Sequence, residues 1–245
     1  MKQGLFEITE HVAVAKGVYR LVLSGDASAF TAPGQFLNIR IGSLFLRRPI
    51  SVYDTDFLTS VTVLYRVVGE GTRALSAMTV GETLDVLTGL GNGYDLADAG
   101  ASPLLIGGGI GIPPLYLLAK LLVKQGLKPQ AVLGFNSATD VICEDAFSAL
   151  GLPVTVTTVD GSYGVRGYAT DALPTDYTYF YSCGPEPMLK AVYKITKTSG
   201  QFSFEERMGC GFGACMGCSC KTVTGYKRIC RDGPVLKKEE ILWNE

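Results

Sequence analysis

Short runs in which apolar and polar residues alternate fill the first hundred residues of the chain. Alternation of this kind, interrupted by glycine or polar turns, is typical of half-buried β-strands. The pattern predicts strands at 5–14, 18–23, 36–41, 49–53, 61–68 and 83–87, and one short helix at 72–78. Many short strands without long helices between them indicate an antiparallel β-barrel.

Beyond residue 100, compact apolar strands alternate with helical patterns. Strands are predicted at 104–106, 131–135, 154–159 and 177–182, and helices at 113–124, 144–150 and 187–198. This order favours an α/β fold with a doubly wound parallel sheet. From residue 200 the chain is rich in glycine and cysteine and too short for a large core. We therefore expect a barrel domain at 1–99, an α/β domain at 100–200 and a small C-terminal segment at 201–245.

Composition narrows the function classes. A chain of 245 residues with 47% hydrophobic content can bury a substantial core, and its net charge of −1 gives no electrostatic case for nucleic acid or an anionic membrane. No apolar run has the length of a membrane span, and the first residues lack the layout of a secretion signal. Seven cysteines, five of them after residue 205, favour a reducing cytoplasm over a disulfide scaffold.

The cysteines near the C-terminus carry the most specific signal. Cys210, Cys215 and Cys218 follow the spacing C-x4-C-x2-C, and Cys230 comes later, which is the plant-type [2Fe–2S] spacing. Structural zinc sites usually show two C-x2-C pairs, so the pattern favours an iron–sulfur cluster over zinc or disulfides. Cys220 is a further thiol whose spacing allows it to replace Cys218. The single histidine, His11, excludes a Rieske centre and is expected to be an ordinary barrel residue.

A glycine-rich loop follows the first strand of the α/β half and opens a helix. Backbone N–H groups at such a helix start can bind phosphate, although a plain tight turn is the alternative. The loop glycines are Gly107, Gly108, Gly109 and Gly111. The later loop 136–140 contains no arginine or lysine to bind a 2′-phosphate, which favours NAD over NADP. Cys183, Gly184 and Pro185 form a turn between a late strand and a helix.

The barrel half contains two motifs suited to a dinucleotide. Arg48, Pro49, Ile50 and Ser51 combine a cation with a hydroxyl on one strand, and an arginine fork suits a pyrophosphate. Gly71 and Thr72 lie at a helix start, which offers free amides to an anion. A solvated strand edge and an ordinary glycine turn are the alternatives for each motif taken alone.

Taken together and in this order, the motifs resemble the ferredoxin–NADP reductase family. The resemblance implies that the barrel binds FAD and the α/β domain binds NAD, with Arg48 at the flavin phosphates and Ser51 at the reactive edge of the ring. It also implies roles in cofactor binding for Leu64, Tyr65, Arg66, Gly71 and Thr72, and places Cys183 beside the nicotinamide. Many members have tyrosine where this chain has Ile50, so Tyr53 or Tyr65 is expected to stack on the flavin instead.

The cysteine-rich tail resembles the electron-transfer subunits of the NAD-linked, type B dihydroorotate dehydrogenases. This implies Cys210, Cys215, Cys218 and Cys230 as cluster ligands, Cys220 as a bystander, and Ser51 and Cys183 as the residues at the reacting atoms. It further implies an FMN-containing catalytic partner in a heterotetramer and a role in pyrimidine biosynthesis. The sequence leaves two alternative functions open: an NAD(P)H or ferredoxin oxidoreductase subunit of another complex, and a zinc-stabilised nucleotide-binding module.

Overall fold

The structure is a computed structural model that describes residues 1–243. Its first half consists of β1 (Lys2–Ala15), β2 (Val18–Ser24), β3 (Phe36–Arg40), β4 (Arg48–Thr55), β5 (Ser60–Arg66), α1 (Glu70–Ser76) and β6 (Thr83–Leu90). The strands close into an antiparallel barrel in the order β1-β2-β5-β4-β3-β6. The predicted barrel is therefore confirmed.

Alternation along the strands creates the barrel core. Leu21 and Leu23 of β2 lie opposite Val63 and Val61 of β5, and all four side chains are fully buried. Because successive side chains of a strand point to opposite faces, the residues between them are left for the outer surface. That outer surface is where a cofactor can bind.

The helix α1 begins two residues earlier than predicted. The Thr72 hydroxyl accepts hydrogen bonds from the Val68 and Gly69 N–H groups, at 2.9 and 3.2 Å, and so closes the first turn from inside the helix. Thr72 therefore sits within the first turn instead of opening it.

The second half contains β7 (Pro103–Gly108), α2 (Pro114–Lys124), β8 (Gln130–Phe135), α3 (Glu144–Ala149), β9 (Val154–Thr158), β10 (Val165–Arg166), β11 (Tyr179–Cys183) and α4 (Glu186–Ile195). The predicted parallel doubly wound sheet is confirmed. The helix α4 ends at Ile195 instead of residue 198, because Thr196 is already extended and its hydroxyl donates back to the Val192 carbonyl at 2.8 Å.

The C-terminal segment returns to this sheet. It comprises β12 (Gly200–Ser203), β13 (Ser219–Thr222), β14 (Gly225–Arg228), α5 (Ile229–Asp232) and β15 (Val235–Lys237). The complete sheet has the order β10-β9-β8-β7-β11-β12-β15, in which only β15 is antiparallel. Two strands of this sheet thus begin at residue 200 or later, and the division into 1–99, 100–200 and 201–245 stays a prediction.

Besides the barrel's own core, an apolar cluster joins the two halves. Val18 and Leu64 of the barrel and Tyr94 of the connection pack in one cluster with Leu105 of β7 and Leu118 of α2. Shared burial of this kind fixes the barrel against the sheet. Within residues 1–243, no helix is long and apolar enough to cross a membrane.

Candidate functional site: a cavity between barrel, nucleotide sheet and cysteine loop

One cavity of about 770 Å³ lies where the barrel, the parallel sheet and the C-terminal segment meet. Most of the predicted cofactor-binding residues line it. From the barrel these are Pro49, Ile50, Ser51, Leu64, Tyr65, Arg66 and Thr72, and from the sheet they are Gly108, Gly109, Gly111, Cys183, Gly184 and Pro185. Its volume lies within the range of pockets that hold cofactors.

Arg48 and Gly71 lie just behind this wall and touch each other. A Cβ atom on Gly71 would come within 2.0 Å of the Arg48 Nε, so only glycine lets the arginine cross the first turn of α1. The neighbouring Arg47 instead donates to the Asp85 carboxylate at 2.8 Å and lowers the pKa of that carboxyl group. Of the two arginines, Arg48 is therefore the one placed for phosphate, beside Thr72.

Close packing requires glycine at several positions of the glycine-rich loop, in addition to any requirement from ligand binding. A Cβ on Gly111 would meet the Cys183 carbonyl group at 2.6 Å, and one on Gly108 would meet the Met188 sulfur at 2.5 Å. Gly107, which lies outside the cavity wall, packs under α2 against Ile112. The loop and the Cys183 turn therefore pack closely against each other, and both line the same cavity.

Cys183 is held by groups from three parts of the chain. It pairs in register with Gly107 of β7 and with Ser203 of β12, while the Tyr94 hydroxyl donates to the Ser182 carbonyl at 3.3 Å. Burial raises the pKa of the Cys183 thiol to about 12. The thiol is therefore neutral near pH 7, and it offers a polarizable, uncharged contact instead of a thiolate nucleophile.

The expectation that Tyr53 or Tyr65 stacks on the flavin stays a prediction, and in the structure each ring packs against another tyrosine. Tyr53 stacks on Tyr116 of α2, with ring centroids 4.4 Å apart. The Tyr65 ring stacks on Tyr19 at 5.7 Å, and its hydroxyl hydrogen-bonds to His11 Nε2 at 2.8 Å. His11 is thus a barrel residue, as expected.

Several residues that line the cavity were missed from the sequence. They are Phe36, Asn136, Asp140, Val159, Tyr168, Ser203, Phe204, Glu205, Glu206, Met208 and Pro234, among others. Met208 and Phe204 lie two and six residues before Cys210, the first cysteine of the cluster motif, and this position could have singled them out. Tyr168 and Pro234 reach the cavity only because distant segments join the sheet, so no local pattern marks them.

The four predicted cluster cysteines lie in two neighbouring pairs, and all are free thiols. The Cys215 N–H donates to the Cys210 sulfur at 3.5 Å, and the Cys230 N–H donates to the Cys218 sulfur at 3.4 Å. Within residues 1–243, no three metal-ligating side chains converge on one ion position. Two thiol pairs fit a two-iron cluster, in which each iron takes two terminal thiolates.

The surroundings of the thiols differ between the pairs. Burial acts to raise the pKa of Cys210, but N–H donors, Cys215 first among them, lower it to about 6. Burial and the adjacent Cys218 thiol raise the pKa of Cys230 to about 12. Iron binding would have to displace the Cys230 proton, which couples cluster assembly to the order of this segment.

The barrel directly supports the cysteine loop. The buried Asn38 of β3 donates from Nδ2 to the Cys210 carbonyl at 3.3 Å, and a Cβ on Gly211 would come within 2.4 Å of that nitrogen. Gly211 also has a φ of +79°, a conformation that favours glycine. Cys220 lies outside this loop, on β13, where burial raises the pKa of its thiol.

A closed antiparallel barrel, a nucleotide-type parallel sheet and a paired-cysteine loop around one cavity define a flavin- and nicotinamide-linked oxidoreductase of the ferredoxin–NADP reductase type. Residues 205–242 match the family of iron–sulfur cluster binding domains of dihydroorotate dehydrogenase B. The chain belongs to the family of dihydroorotate dehydrogenase B (NAD(+)) electron transfer subunits, and the full-length likeness of its relatives establishes this.

Two such relatives illustrate that likeness. The electron transfer subunit of Shouchella clausii (strain KSM-K16) is 45% identical over 256 residues, which cover 98% of both chains. That of Fusobacterium nucleatum subsp. nucleatum is 42% identical over 250 residues, covering 96% of both chains.

Solved structures agree with this assignment. An NADH-dependent reduced ferredoxin–NADP oxidoreductase is 30% identical with a TM-score of 0.87, covering 98% of this chain and 91% of that one. A ferredoxin NADP+ reductase from Neisseria gonorrhoeae with bound FAD and NADP has a TM-score of 0.66 at 19% identity, covering 79% of this chain and 90% of that one. The second likeness shows the fold alone.

Proposed function

We propose that this chain is the electron-transfer half of a two-subunit oxidoreductase. It receives electrons from an FMN-containing partner that oxidises dihydroorotate, and it delivers them through a [2Fe–2S] cluster and FAD to NAD+ in pyrimidine biosynthesis. The observation that carries the proposal is that one cavity is lined by barrel, glycine loop, Cys183 turn and the approach to the cysteine loop. Family membership supplies the identity of the substrate.

The barrel residues fit the flavin. FAD held here would supply the conversion between the single electrons of an iron–sulfur cluster and the electron pair that NAD+ takes up as hydride. Arg48 and the amides at the start of α1 would hold its phosphates, and Ser51 lies on the cavity wall where a hydroxyl can hydrogen-bond the ring edge. The cavity wall also includes several aromatic residues, among them Phe36, Tyr65 and Phe204, that would be available to the ring in place of the usual tyrosine.

The nucleotide residues fit NAD on the other side of the same cavity. The glycine loop brings backbone amides and the start of α2 to the diphosphate. The neutral Cys183 thiol would pack against the nicotinamide ring, and close packing of Gly111 against the Cys183 carbonyl group fixes the backbone of this turn. Ser51 of the barrel and Cys183 of the sheet, which line the same cavity, would then be the residues at the reacting atoms.

The cysteine loop supplies the entry point for electrons. Cys210, Cys215, Cys218 and Cys230 would hold the cluster, and Asn38 fixes the loop to the flavin barrel. Cys215, Phe212 and Met216 are exposed beside it. An electron donor must approach this face closely, so the partner subunit docks here in the expected heterotetramer. We place the complex in the cytoplasm, where the seven free thiols stay reduced.

An anaerobic visible spectrum of the purified chain, with iron and flavin assays, tests the cofactors directly. Flavin and iron–sulfur bands that bleach on addition of NADH are expected. A colourless protein that holds zinc would contradict the proposal.

Reconstitution with the partner subunit tests the direction of transfer. Dihydroorotate should then reduce NAD+ only when both subunits are present. A Cys215→Ser chain that assembles with the partner and still supports the full rate would show that electrons bypass the cluster.

One observation favours a second candidate, an NADH:ferredoxin-type subunit of another complex. The NADH-dependent reduced ferredoxin–NADP oxidoreductase is similar over nearly the whole chain, although its 30% identity is below the 45% of the Shouchella clausii relative. Reduced ferredoxin offered in place of the dihydroorotate-oxidising partner separates the two: rapid NAD+ reduction by ferredoxin alone would favour the second candidate.

A further inference from the structure

One phenylalanine of the barrel belongs both to the cofactor cavity and to the packing around the cysteines. Phe36 is the first residue of β3, it is 2% exposed, and it lines the cavity. It also belongs to a buried apolar layer between the barrel and the cysteine segment, which consists of Phe36, Leu87, Leu90, Cys218, Ile229, Cys230 and Leu236. Of these members, all within residues 1–243, Phe36 is the one that also lines the cavity.

The register of the barrel strands sets the direction of the Phe36 side chain. Phe36 lies opposite Ser51 of β4, and the next pair along the strands is Leu37 and Ile50. Leu37 and Ile50 belong to the barrel core. Because side chains alternate between the two faces of a sheet, Phe36 and Ser51 share the outer face. Phe36 is therefore the cross-strand neighbour of the hydroxyl assigned to the flavin ring edge.

The Phe36 ring is tightly packed from behind. A Cβ atom on Gly91 would come within 3.2 Å of the Phe36 Cε1 and within 2.5 Å of the Pro234 Cδ. Gly91 has a φ of +76°, so both its conformation and its surroundings favour glycine. The connection after β6 can therefore pass directly behind the ring, which leaves little free space on that side.

The two pairs of cysteines face different surroundings. Cys218 and Cys230 are each 2% exposed and lie in the same apolar layer as Phe36. In the other pair, Cys215 is exposed. A cluster held by all four thiols would thus have an outer side open to an electron donor and an inner side that faces the barrel through Phe36.

Two other residues connect the cavity with this layer, but less directly. Phe204 and Met208 line the cavity and pack against the layer, and both are only half-buried. The Phe204 ring also packs against Trp243, with ring centroids 5.4 Å apart. Both residues belong to the segment that carries the cysteines. Phe36 is the fully buried contribution of the barrel, which is the part assigned to the flavin.

We propose that Phe36 is the packed contact through which electrons pass between the inner cysteine pair and the flavin. The rate of electron transfer falls steeply with distance and with gaps in packing, and a buried ring between the two sites limits both. In each passage one electron leaves the cluster and one enters the flavin, while Phe36 is neither oxidised nor reduced. Two such electrons and one proton from water make up the hydride that NAD+ accepts. This inference rests on the proposed function, because it takes the cavity to hold FAD and the cysteines to hold iron.

The measurement is pulse radiolysis of the oxidised chain loaded with FAD and iron, with methyl viologen as the one-electron carrier and no nucleotide present. After the pulse, the electron redistributes between cluster and flavin, and the absorbance of each follows this step. The step is intramolecular, so its rate depends neither on protein concentration nor on the fraction of chains that are fully loaded. Redox titration of each variant gives the midpoint potentials of both cofactors.

Phe36→Leu should slow this redistribution severalfold, because the smaller side chain leaves a gap between the two sites. Phe36→Tyr keeps the ring and should keep most of the rate. Phe36→Met, whose flexible side chain fills more of the space, should have a smaller effect than Phe36→Leu. Phe30→Leu is the matched control, because Phe30 is also 2% exposed but lies in the barrel core, away from the cavity and the apolar layer. Its rate should equal that of the unmodified chain.

The outcomes separate this inference from the proposed function. If the unmodified chain holds no flavin or no iron, or if no electron passes between them, the proposed function itself is wrong. If electrons pass but Phe36→Leu has an unchanged rate, the route does not use Phe36. A shift of either midpoint potential that accounts for the slower rate, or an equal slowing in Phe30→Leu, would also overturn the inference. If Phe36→Leu does not retain both cofactors, the comparison of Phe36→Met with Phe36→Tyr decides in its place.

Discussion

The barrel and the cluster segment, residues 204–232, are stabilised in different ways. The barrel closes on its own apolar core, in which Leu21, Leu23, Val61 and Val63 are fully buried. In the cluster segment the buried side chains other than glycine are Cys218, Thr222, Ile229 and Cys230, and two of these are predicted ligands. The barrel can therefore fold before it binds flavin, whereas the cluster segment needs its iron to stay closed.

Removal of one buried ligand should break the cluster segment and leave the barrel intact. In Cys218→Ser we expect loss of the iron–sulfur absorbance, loss of electron transfer from the partner, and faster proteolysis after residue 204, while flavin stays bound. Visible spectra, iron assays and limited proteolysis measure these effects. Cys220→Ser is the matched control, and its iron content should stay normal. Full iron in Cys218→Ser, or loss of iron in Cys220→Ser, would show that the ligand set is wrong.

The reciprocal test removes the flavin anchor from the barrel. Arg48→Met should weaken flavin binding by at least about tenfold, because a charge-assisted phosphate contact is lost. The unfolding temperature of the flavin-free chain should change little, because within residues 1–243 the Arg48 side chain forms no ion pair and donates only an exposed hydrogen bond to the nearby Leu46 carbonyl. Flavin titration and thermal unfolding measure the two properties. Arg47→Met is the matched control for flavin binding, and tight flavin binding in Arg48→Met would contradict the assigned role.

Local patterns predicted much of the barrel, and long-range pairings explain what they missed. Alternation at Val61 and Val63 is visible in the sequence, and it reports a core that the structure confirms. The ion pair between Arg66 and Asp140, whose charged atoms are 4.0 Å apart, could not be predicted from a local sequence pattern, because it depends on how the barrel packs against the sheet. The same holds for Tyr53, whose stacking partner Tyr116 belongs to a helix of the other half.

The cysteine motif was the most predictive local signal, since its spacing alone indicates the chemistry. Its surroundings were not predictable. Asn38 supports the loop from a strand far away in sequence, and Pro234 reaches the cavity because β15 joins the sheet as an antiparallel edge. Local sequence patterns therefore predicted the residues that would hold a cofactor better than they predicted the residues that support and orient those residues.

The contact between the barrel and the cluster segment can be weakened without removing a cysteine ligand. Asn38→Ala would leave the Cys210 carbonyl without its donor, at a cost of about 1–3 kcal/mol for a buried group. We expect normal flavin content but a severalfold faster loss of iron to a chelator, followed at the iron–sulfur absorbance. Unchanged iron loss would mean that the cysteine loop is stable without the barrel.

The smallest predicted effect is a change in the unfolding free energy that comes from one ion pair of the barrel, between Arg47 and Asp85. Arg47 lowers the pKa of Asp85 by hydrogen bonding, so the folded chain binds fewer protons there than the unfolded chain. The resulting stability is present above the usual carboxyl pKa and is lost as the pH falls below it. Arg47→Met should therefore lower the unfolding free energy by about 1 kcal/mol at pH 7, with a smaller difference near pH 3.

Urea unfolding followed by flavin fluorescence at both pH values measures this difference. Lys2→Met is the matched control, because it removes an ion pair with Asp26 whose side chains are 53% and 55% exposed, against 19% and 23% for Arg47 and Asp85. Water screens the exposed pair, so its removal should not measurably change stability. Equal effects of the two variants would show that burial does not distinguish these ion pairs, and that the barrel draws its stability from the apolar core alone.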